Sequence, residues 1–179
     1  MTVVEASAKV RSPKEENRRK CSYSAKQEVG GSTMLSVPEL FRRASIEIRG
    51  HVAWGSAVPD TSSGVYVIAL AEPAANFTAK LSEDQLKRWN ADEEIIYIGR
   101  ATQLRKRIAQ FYRHEYGRSS PHRGGQDIKL LTGLTEVYWG SALDFAEAEK
   151  AMIDAFHAEV GALPFGNRMR AAQKRAASN

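Results

Sequence analysis

The stretch EEIIYIGRATQLRKRIAQFYRHEYG (93–117) decides the fold. Its opening EIIYIG is apolar on both sides of an extended chain, which predicts a strand buried on both faces. A tight turn after Gly99 leads into a strongly basic helix. There Leu104, Ile108, Phe111 and Tyr112 recur at i, i+4, i+7 and i+8, forming one apolar stripe at helical period. Thr102 is the expected cap of this helix. Arg107 lies at the margin of the stripe with Gln110 and His114 on the same flank, whereas Arg105 and Arg113 point further from the core.

Working outward, GVYVIAL (64–70) is β-branched and apolar on both faces, the mark of a central strand, and TEVYWGSA (135–142) supplies a third. Between the first two strands runs a long excursion. Its SEDQLKRWN (82–90) predicts a short helix with a Ser82/Gln85 capping box. QDIKLLTGL (126–134) reads as a short helical stretch. The longest helix, FAEAEKAMIDAFHAEV, starts after Asp144 and ends at Gly161. Upstream, Ser36 is an N-cap ahead of VPELFRRASIEI with Pro38 in its first turn, and RGHVAWGSAVPDTSSG (49–64) reads as loop. The expected organisation is a disordered basic arm (1–33), an N-terminal helix and connecting loop (34–63), a main domain (64–168) and a basic tail (169–179).

The chain of 179 residues carries net charge +5 and a pI near 9.4, a balance that favours an anionic partner, nucleic acid first. One cysteine, Cys21, excludes an intramolecular disulfide framework and a Cys-rich zinc site. No apolar run is long enough to span a bilayer and no secretory core opens the chain, so a cytoplasmic protein without a membrane partner is expected.

Two kinds of side chain stand out against these patterns. Phe145, Ala148, Met152 and Phe156 share one face of the long helix, and Glu149 projects from the middle of it while Glu147 faces water. A carboxylate on an apolar face requires a cation, a metal or a wet cleft, so Glu149 is either a metal ligand or half of an ion pair with a core-edge arginine. Tyr66 and Tyr97 lie in strands too apolar to face water, and each hydroxyl needs a partner or a cleft. Arg107 is placed to fork onto a phosphate, or to be a solvated surface arginine.

Taken together, GVY (64–66), YIG (97–99), Arg107, Glu149 on a late helix and Asn167 in LPFGNR (163–168) resemble the GIY-YIG nuclease superfamily. The resemblance implies an α/β domain of the α+β type, a small central antiparallel three-stranded sheet flanked by helices. It also implies a metal-dependent endonuclease, a one-metal phosphodiester hydrolase acting on DNA. Tyr66 would be the general base and Tyr97 its neighbour at the phosphate. Arg107 would stabilise charge at phosphorus, Glu149 would hold Mg2+ or Mn2+, and Asn167 would brace the site. Arg100, just past the YIG glycine, would lower a tyrosine pKa. Arg100, Arg105, His114, His122 and Arg168 are the further substrate contacts expected.

Val65 departs from the motif's isoleucine, and the excursion between Tyr66 and Tyr97 is longer than in compact members. Phe111 stands where some members carry a histidine, a place that His114 or His122 would fill. A non-catalytic nucleic-acid-binding module of the same fold, or a protein-interaction domain, are the alternatives. With no helix-turn-helix or zinc finger in the chain, site selection would fall to loops, a homodimer or a partner specificity chain.

Overall fold

A computed structural model describes residues 34–71, 78–118, 125–132 and 135–168. The expectations for the arm 1–33, the tail 169–179 and His122 lie outside the described residues. Four antiparallel strands form the sheet: β1 (Gly50–Ala53), β2 (Gly64–Leu70), β3 (Ile95–Ala101) and β4 (Thr135–Ser141), in the order β1-β4-β2-β3. Its helices are α1 (Val37–Arg43), α2 (Glu83–Leu86), α3 (Leu104–Arg113) and α4 (Phe145–Val160), with a 3-10 turn at Gln126–Leu130. No helix among the described residues is long and apolar enough to cross a membrane.

The expected three-stranded sheet is corrected to four strands. Residues 50–53 were expected as loop, yet they pair with β4 from Gly50↔Trp139 to Ala53↔Glu136. GHVA is short, glycine-led and only half-buried, so it carries little strand pattern of its own. Its order comes from the long β4 beside it, a tertiary override of weak local preference.

β2 is central, bonded to β3 on one side and β4 on the other, which accounts for its apolarity on both faces. Val65, Val67 and Ala69 face α1 and α4, where Leu40, Phe41, Met152, Ile153 and Phe156 close one core layer. Tyr66 and Ile68 face the opposite layer with Leu104, Ile108 and Phe111 of α3. β3 lies at the sheet edge, although it reads as buried on both faces. Its outer side is sealed by the chain's return at residues 166–167. Gly166 donates to Ile96 O at 2.8 Å. The Asn167 amide accepts from Ile98 N at 2.9 Å and donates to Ile98 O at 2.8 Å. One side-chain amide thus stands in for a fifth strand and spares the edge its unpaired groups.

The caps follow the sequence with one exception. Ser36, Ser82 and Asp144 each accept from a backbone N–H in the first turn of their helices, and Gly161 ends α4 with φ of 75°. The residue flanking α3 is Gln103 rather than Thr102, and it makes no side-chain cap. Instead Leu104 N donates to Ser62 O at 3.0 Å and Arg105 N to Asp60 O at 2.8 Å. The loop entering β2 therefore satisfies the helix end and ties α3 to the GVY strand.

Candidate active site

The pairing of β2 with β3 sets Tyr66 opposite Gly99. A Cβ on residue 99 would lie 2.6 Å from Tyr66 Cζ and 2.7 Å from Tyr97 Cε1, so only glycine lets both phenol rings lean over the strand. The two ring centroids are 5.9 Å apart at 44°, and Tyr97 packs on Phe111 of α3 at 5.6 Å. Gly64 has the matching duty in the first tripeptide: a Cβ there would fall 2.1 Å from Gly140 O, closing the β2–β4 contact.

Tyr66 is 1 % exposed, and its hydroxyl has no bond of full hydrogen-bonding geometry among the described residues. Burial pushes its pKa well above the ordinary tyrosine value; nearby Tyr97 adds to this and the Arg107 guanidinium opposes it. Tyr97 is raised by burial and then by the Glu149 carboxylate, with Tyr66 and Arg107 pulling it down. Four elements thereby bring four groups into electrostatic contact: Tyr66 from β2, Tyr97 from β3, Arg107 from α3 and Glu149 from α4. The edge position of β3 allows this, because no further strand separates α4 from the α3 side there.

Glu149 is buried at 6 %, and Arg100 Nε stands 3.4 Å from its Oε2. Arg100 was expected to lower a tyrosine pKa. It lies on the other face of β3 and pairs with the carboxylate instead, while Arg107 is the cation that acts on both hydroxyls. Glu147 is exposed, as its helical face requires. Arg107 is half-buried and lines an open groove of about 410 Å³ with Thr102, Gln103, Lys106 and Gln110, a cradle of cations and amides suited to a phosphate chain.

Other expected contacts are placed elsewhere. Arg105 donates to Val58 O at 3.2 Å and Pro59 O at 2.6 Å, so it fastens the loop entering β2. His114 is buried at the C-cap of α3, outside the Arg107 groove, and its carbonyl accepts from Lys129 Nζ. Arg168 Nη2 lies 3.3 Å from both carboxylate oxygens of Asp127.

Asp127 was not singled out from the sequence. It is 2 % exposed and also binds Arg88 Nη2 at 2.6 Å and Gln85 Nε2 at 2.9 Å. The available signal was the one that marked Glu149, a carboxylate beside an apolar run, here before Ile128.

A metal finds a sparse donor set. No group of three or more His, Cys, Asp or Glu side chains that could hold one occurs among the described residues. Mg2+ and Mn2+ fit such a site when a single carboxylate anchors them and water or substrate phosphate oxygens complete the shell. Glu149, buried beside the tyrosines, offers that anchor. No protein-family profile matches the chain, and no curated protein or solved structure matches it at a significant level.

Proposed function

We propose that the chain is a metal-dependent endonuclease of the GIY-YIG type that hydrolyses DNA phosphodiester bonds. The observation that carries this reading is the Tyr66 hydroxyl, fully buried, without a full hydrogen bond among the described residues, and under the influence of both Tyr97 and Arg107. A buried phenol whose contacts to Tyr97 and Arg107 fall short of full hydrogen-bond geometry is incompletely compensated for its lost hydration, and such a cost fits a group kept for chemistry.

On this reading a DNA phosphate lies in the Arg107 groove, where the guanidinium neutralises charge that develops on the phosphoryl oxygens. Tyr66, deprotonated at its hydroxyl, takes a proton from the attacking water. Its high pKa in the ligand-free protein means that positive charge in the loaded site must favour the phenolate. Tyr97 orients that hydroxyl. Glu149 would hold Mg2+ or Mn2+, which when bound supplies Lewis-acid neutralisation of the leaving oxygen. Asn167 keeps β3 in place through its two bonds to Ile98.

Plasmid nicking in Mg2+ or Mn2+ tests the proposal. Wild type should convert supercoiled DNA to open circles. Glu149→Gln should not, and Arg107→Ala should be slower by about 10²–10³, the usual loss for one electrostatic donor. The Arg100–Glu149 ion pair favours a second reading, a non-catalytic DNA-binding module in which Glu149 is structural. Salt-dependent DNA binding without nicking by pure wild type would select it.

A further inference from the structure

We infer that the cavity between residues 82–90 and the returning segment 162–168 is a second subsite, which takes one nucleotide of the DNA strand flanking the scissile phosphate. This rests on the nuclease reading for the identity of the strand, but its chemistry stands on the cavity itself. The cavity holds about 610 Å³, within the usual range for a nucleotide-sized ligand.

Its charge is strongly one-sided. Among the described residues, Lys87, Arg88 and Arg168 line it with one carboxylate, Asp127. Asp127 is buried and grips both guanidinium groups, Arg88 Nη2 at 2.6 Å and Arg168 Nη2 at 3.3 Å. One anion therefore fixes two cations side by side and leaves a net positive wall, a preorganised arrangement for a phosphate. Lys87 pairs with Asp84 at 2.8 Å, both side chains largely exposed, so that pair is close to neutral and the wall's net positive charge comes from Arg88 and Arg168 against Asp127.

The remaining lining supplies a base with its needs. Tyr116 stands at the rim, 52 % exposed, and its hydroxyl accepts from Gln85 Nε2 at 3.3 Å. An exposed phenol face beside cations is a stacking platform for a base. Phe165 forms part of the wall, with Arg88 over its ring at 5.4 Å, and this packing holds the guanidinium in place.

The cavity adjoins the candidate active site through one residue. Asn167 lines it, and the same side chain is bonded to Ile98, between Tyr97 and Gly99. A strand whose phosphate lies at the tyrosines can thus run past Asn167 and seat a neighbouring nucleotide against Arg168. The excursion between β2 and β3 forms the outer wall and gives that inserted segment a purpose.

Binding is measured in EDTA by fluorescence anisotropy with a labelled single-stranded oligonucleotide, so the result does not depend on cleavage. Lys87→Glu should weaken binding at least tenfold beyond Arg42→Glu, an equal charge change on α1 at a residue that does not line the cavity. Tyr116→Ala should weaken it at least about fivefold, the usual loss for one stacked base. An oligonucleotide series with one abasic site moved along it should contain a position at which Tyr116→Ala has no further effect. Losses equal to the Arg42→Glu control, or a Tyr116→Ala loss unchanged along the whole abasic series, would overturn the subsite. A free deoxynucleoside monophosphate that displaces the strand at micromolar concentration would overturn its assignment to the strand. Cleavage failing while these binding results hold would reject the nuclease chemistry and leave the subsite standing.

Discussion

Arg100 Nε lies 3.4 Å from Glu149 Oε2, and the two partners differ sharply in burial: the glutamate side chain is 8 % exposed and the arginine 43 %. That asymmetry predicts unequal mutant costs. Arg100→Ala removes a cation from a carboxylate that water scarcely reaches and should destabilise by about 1–3 kcal/mol. Glu149→Gln leaves a guanidinium that solvent already touches and should cost less than about 1 kcal/mol. Urea unfolding at neutral pH checks the order. Mg2+ should restore more stability to Arg100→Ala than it adds to wild type, and should add none to Glu149→Gln, because a ligand stabilises only the state it binds. The reverse order of costs would place the needed charge on the arginine instead.

The two tyrosines carry a second expectation, independent of any assay for cleavage. Tyr66→Phe deletes a buried hydroxyl that lacks a full hydrogen bond among the described residues, so stability should be unchanged or higher by up to about 1 kcal/mol. Gly99→Ala should cost about 1–3 kcal/mol from overpacking against Tyr66 Cζ and Tyr97 Cε1. Tyr66→Phe should not rescue it, since Cζ remains. Calorimetric melting of the three variants decides the matter. A clear loss for Tyr66→Phe would mean that the hydroxyl is satisfied in solution.

Glu149 was legible in the sequence because a helix repeats every 3.6 residues and one carboxylate broke the apolar face. Tyr66 and Tyr97 were legible for a similar reason, as polar tips within wholly apolar strands. The role of Arg100 was misassigned although its face was legible: regular alternation from Tyr97 to Arg100 sets it on the opposite side of β3 from the tyrosines, and what the pattern did not show was that α4 brings Glu149 to that side. The bulge lies earlier, where Ile68 pairs with Tyr97 and Ala69 with Ile95, so that Ile96 and Tyr97 both join the α3-side core. Arg105 was given to substrate because the helical wheel turns it outward. Its long side chain reaches back to the Val58 and Pro59 carbonyls, a contact set by the path of a loop and not by local pattern. The fourth strand was hidden because GHVA has too little pattern to declare itself without β4.

Asn167 illustrates a contact between distant residues that no period announces. Its amide bonds both backbone groups of Ile98, a partner 69 residues away, and it is 8 % exposed. Asn167→Ala should destabilise by about 2–4 kcal/mol, since two buried backbone groups lose their partners together. Asn167→Asp retains the acceptor for Ile98 N but sets a carboxylate oxygen against Ile98 O, so it should also destabilise. Hydrogen exchange should show the Ile98 amide opening first in Asn167→Ala and better protected in Asn167→Asp, which keeps its acceptor. A stable Asn167→Ala protein with a protected Ile98 amide would show that another group seals the edge.

Acid stability should report on Asp127. Burial alone would raise its pKa, but the hydrogen bonds from Arg88 and Gln85 and the charges of Arg168 and Arg88 outweigh burial and hold it below the ordinary aspartate value. The unfolded chain titrates this carboxyl near about 3.9. Above that pH both states are ionised and the native contacts contribute fully. As the pH falls below it, the unfolded state takes up the proton first, so stability declines until the folded carboxyl is protonated too. Glu39 titrates in the same window, held at about 2 by its bonds to Arg42 and Arg43, so the comparison belongs in a Glu39→Gln background. There Asp127→Asn should lower stability by about 1–3 kcal/mol at pH 7 and flatten the decline that sets in below about pH 4. Urea midpoints across that range give both numbers. An Asp127→Asn protein that keeps the full acid slope would mean that the Arg88–Asp127–Arg168 cluster is loose in solution, and the cationic wall built on it would lose its anchor.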